Sequence, residues 1–225
     1  MTSAIVTGAG RGIGRAVSLE LADRGFDVGL LARSQAEIDE TASLVSARGR
    51  KAIALKCDVS KSFEVDAAIA RANEALGTSD VVVCSAGIIV RELVHEMRED
   101  EWDAVLDVNL KGTFLVCRAA LPSMIARKQG RLVAISSISG TLGTPRQSAY
   151  CASKWGVIGF VKSLAEELRG TGLAALCVLP GSVDTPMLHG FAPRMRPEDV
   201  AKLVAYAAID APAAMNGSAI EMFGP

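Results

Sequence analysis

Residues 3–14 read Ser3-Ala4-Ile5-Val6-Thr7-Gly8-Ala9-Gly10-Arg11-Gly12-Ile13-Gly14. A short apolar run passes directly into glycines, and a helical pattern begins at residue 12. Glycines in this position permit positive φ, let the backbone approach a pyrophosphate, and let the helix pack close to the strand. The helix start then offers free N–H groups and positive dipole character to phosphates. The spacing is GxxxGxG, on Gly8, Gly12 and Gly14; GxGxxG would need a glycine where Ile13 stands. No Gly-Lys-Ser/Thr follows, which argues against a P-loop nucleotide hydrolase. The expectation is a dinucleotide-binding turn, and the alternative is an ordinary glycine-rich connection.

The rest of the chain repeats the strand-then-helix theme. Apolar or β-branched runs at 3–7, 27–32, 51–57, 79–84, 131–136 and 173–179, with a weaker one at 217–222, alternate with helical patterns. The helical patterns lie at 12–24, 35–48, 61–76, 99–127, 148–169 and 198–209. Nearly continuous apolar strands suit a parallel sheet covered on both faces, and strand–helix alternation implies right-handed crossovers. The reading is one α/β domain over residues 1–225: a Rossmann-type, doubly wound parallel sheet of about seven strands with helices on both faces. Gly25, Gly49 and Gly77 stand where left-handed caps should close the first three helices, and Pro197 where the last begins.

Composition bounds what such a domain can do. Of 225 residues, 50% are hydrophobic and 22% charged, enough apolar content for a large core. Net charge is −1 and aromatics are 4%, so neither a basic field nor a stacking platform for nucleic acid is present. No apolar run reaches the ~18 residues that span a bilayer, and the N-terminus lacks a basic-then-apolar leader pattern. Cys57, Cys84, Cys117, Cys151 and Cys177 are widely spaced, without a CxxC pair. They read as reduced thiols in a cytoplasmic protein with no metal site.

The second strand should end beside an adenosine ribose, where an acid would hold the 2′-hydroxyl of NAD and an arginine the 2′-phosphate of NADP. Here the sequence is Leu30-Leu31-Ala32-Arg33-Ser34, with Arg11 as a second cation in the glycine loop. Both arginines favour NADP (NADPH) over NAD; the alternative is that they are solvated surface charges.

The chemistry is expected from Tyr150-Cys151-Ala152-Ser153-Lys154, preceded by Ser137 just beyond a strand end. Tyr150 and Lys154 share a helix face at about 5–6 Å between Cβ atoms. Moving a phenol from about 10 to about 7 takes roughly 4 kcal/mol, which one ammonium ~4 Å away supplies at an effective dielectric near 20. Tyr150 could then protonate a carbonyl oxygen held by Ser137 while a hydride arrives. The alternative is a surface tyrosine and lysine on an amphipathic helix.

On these motifs the chain resembles the short-chain dehydrogenase/reductase superfamily from about residue 3 to 222. The family's TGxxxGxG is met by Thr7, Gly8, Gly12 and Gly14, its YxxxK by Tyr150 and Lys154, and its catalytic serine by Ser137. The active-site asparagine, which helps hold a water relay to the lysine, is matched by Asn109. Asp58 and Val59 match the adenine-contacting pair, and Pro180, Gly181, Val183 and Thr185 the segment that lines the nicotinamide. The resemblance implies catalytic roles for Asn109, Ser137, Tyr150 and Lys154. It implies cofactor contacts for Gly8, Arg11, Gly12, Ile13, Gly14, Arg33, Asp58, Val59, Ala86, Gly87, Tyr150, Lys154, Pro180, Gly181, Val183 and Thr185. It also implies a homo-oligomer, dimer or tetramer. Three departures stand out: Cys84-Ser85-Ala86-Gly87 replaces Asn-Asn-Ala-Gly, the last residues lack the Asp-Gly-Gly used in tetramer packing, and the segment between Thr185 and Pro197 is short where the family often has a longer helical lid.

Substrate selection is expected from residues 140–147, 88–93 and a lid at 186–196. Thr141, Leu142 and Thr144 would form a small wall, and His189, Phe191, Arg194 and Met195 could face a substrate. Arg194 and Arg196 invite an anionic ligand, or are solvated lid charges. Trp155 is expected to pack at the helix interface. The overall pattern is most similar to 3-oxoacyl-carrier-protein reductases, with small-ketone, sugar or polyol and steroid-type alcohols as alternative substrates. A catalytically silent NADP-binding protein acting through partners is the alternative of another class.

Overall fold

The computed structural model describes residues 2–188 and 192–225. Seven strands form one parallel sheet: β1 (Ser3–Thr7), β2 (Asp27–Ala32), β3 (Ala52–Lys56), β4 (Val81–Cys84), β5 (Gly130–Ile135), β6 (Leu173–Pro180) and β7 (Ala219–Met222). Their order is β3-β2-β1-β4-β5-β6-β7. The expected doubly wound arrangement is therefore present, and the winding reverses between β1 and β4, whose carboxyl ends open a crevice.

Successive side chains of a strand point to opposite faces, and here both faces are covered. Ile5, Leu31, Val82, Leu132 and Leu179 join one core, against α3 (Ser62–Leu76), α5 (Gly112–Arg127) and α6 (Ser148–Glu167). Ala4, Val6, Leu30, Val83, Leu176 and Val178 join the other, against α1 (Gly12–Asp23), α2 (Gln35–Ser46) and α7 (Pro197–Ala205). This two-sided burial is why the strands read as unbroken apolar runs. Each fully buried Val, Leu or Ile contributes on the order of 1.5–3 kcal/mol, so the sheet is a rigid platform for whatever its edge carries.

Gly25, Gly49 and Gly77 are all at positive φ, but Gly77, at φ 81° and ψ 167°, is not the left-handed cap expected of it. The long helical pattern at 99–127 differs in one respect. It runs as α4 (Glu99–Leu106), a wide π-helical turn (Asp107–Lys111), and α5. A π turn inserts a residue into the i→i−4 ladder and so rotates what it carries. Here it carries Asn109, only 1% exposed. The last helical pattern ends likewise in a π turn at Tyr206–Asp210. Trp155 does not pack between helices of this chain as expected. Its place on the outer face of α6 leaves it exposed. All five cysteines are free thiols, four of them buried.

Candidate active site

A cavity of about 770 Å³ runs along the carboxyl edge of the sheet. One end is built by the glycine loop. Gly8 and Gly12 sit at φ +64° and +54°, which a side chain would strain, and a Cβ on Gly14 would drive into the Gly8 carbonyl. No side chain caps the start of α1 at Arg11, so Gly12, Ile13 and Gly14 present the helix N-terminus to the cavity without competition. Thr7 fixes the facing segment: its Oγ1 accepts from the amides of Ser85 and Ala86, at 3.1 Å each. These bonds hold the backbone path of Cys84-Ser85-Ala86-Gly87. Cys84 turns into the core, with its Sγ 3.9 Å from that of Cys117.

Arg33, Asp58 and Val59 line the far end of this half. Asp58 accepts from the amide and hydroxyl of Ser60, at 3.0 and 2.8 Å. Burial pushes its carboxyl pKa up, but these bonds and the Arg33 charge outweigh that and leave it below the usual carboxylate value. Ala86, Gly87, Pro180, Gly181, Val183 and Thr185 line the remaining wall, with Gly8 and Arg11 to Gly14 opposite. Backbone donors at a helix start, positive-φ glycines and two arginines form a set that fits a pyrophosphate-containing dinucleotide.

Ser137, Tyr150 and Lys154 meet at the other end. β5 ends at Ile135, and Ser137 starts a single 3₁₀ turn, where its Oγ accepts from the Ser139 amide at 3.1 Å. Tyr150 and Lys154 project from the first turns of α6, with Lys154 Nζ 5.5 Å from the phenol ring centre. Nζ donates to the Ile135 carbonyl at 2.8 Å.

The electrostatics correct the sequence argument. Burial raises the Tyr150 pKa above its ordinary 10; hydrogen bonding by Ser137 and the Arg91 charge pull the other way. The Lys154 ammonium is turned to the Ile135 carbonyl and lies over the ring. Burial also lowers Lys154 itself, to about 8.

Asn109 lines none of the cavity but fixes its wall from behind. Its Oδ1 accepts from the Ile88 amide at 2.8 Å, and its Nδ2 donates to the Ile88 carbonyl at 2.9 Å and Ser153 Oγ at 3.0 Å. Ser153 in turn donates to the Tyr150 carbonyl at 2.7 Å. The asparagine thus ties the 88–93 segment to the tyrosine helix.

The expected substrate wall is only partly right. Thr144 and Gln147 line the cavity with Ile88, Ile89, Arg91, Met187 and Leu188. Thr141 instead donates to Glu221 at 2.8 Å, and Leu142 is solvent-exposed. Met195 is buried in the helix-layer core and pairs with Val183. Arg196 starts α7 beside Asp199, and neither it nor Arg194 lines the cavity. His189 and Phe191 lie outside the described residues. Four side chains were not singled out from the sequence: Glu37, Arg91, Gln147 and Ser153. Arg91 and Gln147 fall within the expected segments. Glu37, three residues after the N-cap Ser34, carries only the signal of a helix start.

The geometry is that of an oxidoreductase acting on CH–OH and carbonyl groups, and the chain belongs to the short chain dehydrogenase family, whose model matches residues 2–195. Among curated relatives, 3-oxoacyl-acyl-carrier-protein reductase FabG of Staphylococcus aureus is 35% identical over 237 residues, covering 99% of this chain and 96% of that protein. The 3-oxoacyl-acyl-carrier-protein reductase of Synechocystis is 38% identical over 223 residues, covering 94% and 90%. The crystal structure of a short-chain type dehydrogenase/reductase from Mycobacterium marinum superposes with a TM-score of 0.94 at 31% identity, covering 99% of this chain and 94% of that one.

Proposed function

We propose that this chain is an NADP-dependent reductase of 3-oxoacyl thioesters or small ketones. The observation that carries the reading is one continuous cavity with the glycine loop and Arg33 at one end and Ser137, Tyr150 and Lys154 at the other. Bound NADPH would supply a hydride to the carbonyl carbon. Tyr150 gives its phenolic proton to the carbonyl oxygen, Ser137 hydrogen-bonds that oxygen, and Lys154 places a positive charge over the ring as the phenolate forms. Asn109 positions Ile88 and, through Ser153, the Tyr150 backbone.

Burial leaves the resting Tyr150 as the phenol, the proton-donating form. A phenol with a raised pKa is fully protonated at neutral pH, the form a reduction needs; oxidation of an alcohol needs the phenolate. The substrate class rests on the relatives above, both 3-oxoacyl reductases by name. The chain is read as one domain because every strand joins one sheet. Buried thiols support a cytoplasmic setting, and among the described residues no helix is long and apolar enough to cross a membrane. A homo-oligomer is supported by Phe114 and Trp155, exposed on α5 and α6.

The test is NADPH oxidation by the purified protein with an acetoacetyl thioester and, separately, a cyclic ketone. Turnover of either supports a carbonyl reductase, and turnover of the thioester alone supports the acyl branch. Tight NADPH binding with neither substrate consumed would reject both.

A further inference from the structure

We propose that Glu37 is a cofactor-discriminating residue: by pairing with Arg11 it restrains the preference for a phosphorylated ribose. The inference rests on the NADP reading and deepens it.

Glu37 occupies the first turn of α2 and lines the same end of the cavity as Gly10, Arg11, Arg33 and Ser34. Its Oε1 lies 3.5 Å from Arg11 Nη1. The carboxylate sits over Gly10, where an added Cβ would come within 2.8 Å of Glu37 Cβ and 3.0 Å of its Oε2. The side chain is anchored at its root. The Glu37 amide donates to Ser34 Oγ at 3.4 Å, and its carbonyl accepts from Thr41 Oγ1 at 3.0 Å.

Nearby cations do not compensate. Arg15 is engaged by Glu40 at 2.7 Å and by the Gly10 carbonyl at 2.9 Å. That leaves Arg11 and Arg33 as the cations of this end, against the carboxylates of Glu37 and Asp58, so the end is charge-balanced. A 2′-phosphate entering it must take Arg11 from Glu37 and sit near that carboxylate. A ribose hydroxyl carries no charge and meets neither cost. Neutralising Glu37 therefore leaves one net positive charge beside the phosphate and frees Arg11 to meet it.

The test is isothermal titration calorimetry of NADPH and NADH binding to wild type, Glu37→Gln, Arg11→Ala and the double variant. Glutamine is also a good residue three positions after a helix N-cap, so α2 keeps its start; Glu37→Ala serves as a second variant, with thermal unfolding as the check on folding. The expected result is a shift of the NADH-to-NADPH Kd ratio about fivefold toward NADPH, which is about 1 kcal/mol, the upper end for an exposed pair. The shift should shrink in the Arg11→Ala background, where only the carboxylate's repulsion of the phosphate remains, and should shrink again at about 1 M salt, where screening acts within ~3 Å. A ratio unchanged within twofold, a shift toward NADH, or a full shift retained without Arg11 would each overturn the role of Glu37. The wild-type ratio separately tests the NADP reading: tighter NADH binding rejects it without touching the Glu37 comparison.

Discussion

Asn109→Leu removes three hydrogen bonds while keeping the branched side-chain shape, and its cost follows from the geometry. The Ile88 amide, the Ile88 carbonyl and Ser153 Oγ all lose a partner, and the leucine offers none. A typical protein hydrogen bond contributes about 1 kcal/mol net, and a buried group left unpaired costs about 1–3 kcal/mol. Ser153 is fully buried, whereas Ile88 is half-buried and water can reach its peptide groups. The total is then about 3 kcal/mol, or a fall in Tm of ~6–12 °C for a chain of this size. Urea unfolding at unchanged m reads the loss directly. Asn109→Asp keeps the acceptor for the Ile88 amide but faces a carboxylate toward the Ile88 carbonyl and Ser153, so it should not rescue the loss. A cost under about 1 kcal/mol for Asn109→Leu would show that the three bonds do not hold the wall to the tyrosine helix.

Two further outcomes follow from the charged groups. Lys154 titrates at about 8 when folded and at 10.5 ordinarily, so between those values the unfolded chain binds more protons and stability rises with pH, by about 3 kcal/mol from this group. The unfolding free energy of wild type minus that of Lys154→Met should therefore grow by about that amount from pH 8 to 10.5. Cys57, pushed up to about 12, lowers stability in both proteins alike above about pH 9 and cancels; Cys177, whose thiol the Lys154 charge pulls down, does not, so both proteins carry Cys177→Ala. A constant difference would refute the buried-ammonium account. Arg33→Ala should weaken NADPH binding about tenfold more than NADH binding by titration, the loss of one charge-assisted contact, and equal weakening would reject its 2′-phosphate role.

The doubly wound parallel sheet was legible because its central strands are apolar on both faces, as a sheet covered on both sides requires, whereas the strand order came only with the structure. The site was legible where chemistry forces residue type and spacing together: glycines at positive φ in the loop, Tyr150 and Lys154 one turn apart, Ser137 past a strand end. What escaped the sequence depends on rotation and on distant packing. The π turn at Asp107–Lys111 leaves no mark in a 3.6-residue pattern, yet it decides where the Asn109 amide points. Spacing put Lys154 beside the phenol, but the Ile135 carbonyl captures its ammonium, and that carbonyl lies on another element. Glu37 reads as a helix-start acid until α2 is folded against the glycine loop. The lid segment misled for a related reason: Met195 and Arg196 belong to the foot and start of α7, where the Met195 side chain packs in the core and the Arg196 backbone amide donates to Asp199.

The central claim is that Tyr150 transfers the proton in a hydride-driven carbonyl reduction. It is tested most directly by kcat for an acetoacetyl thioester in wild type and Tyr150→Phe, with NADPH affinity measured alongside. The account expects a fall of about 10²–10⁴-fold in kcat, with NADPH binding preserved. Turnover unchanged in Tyr150→Phe would contradict it.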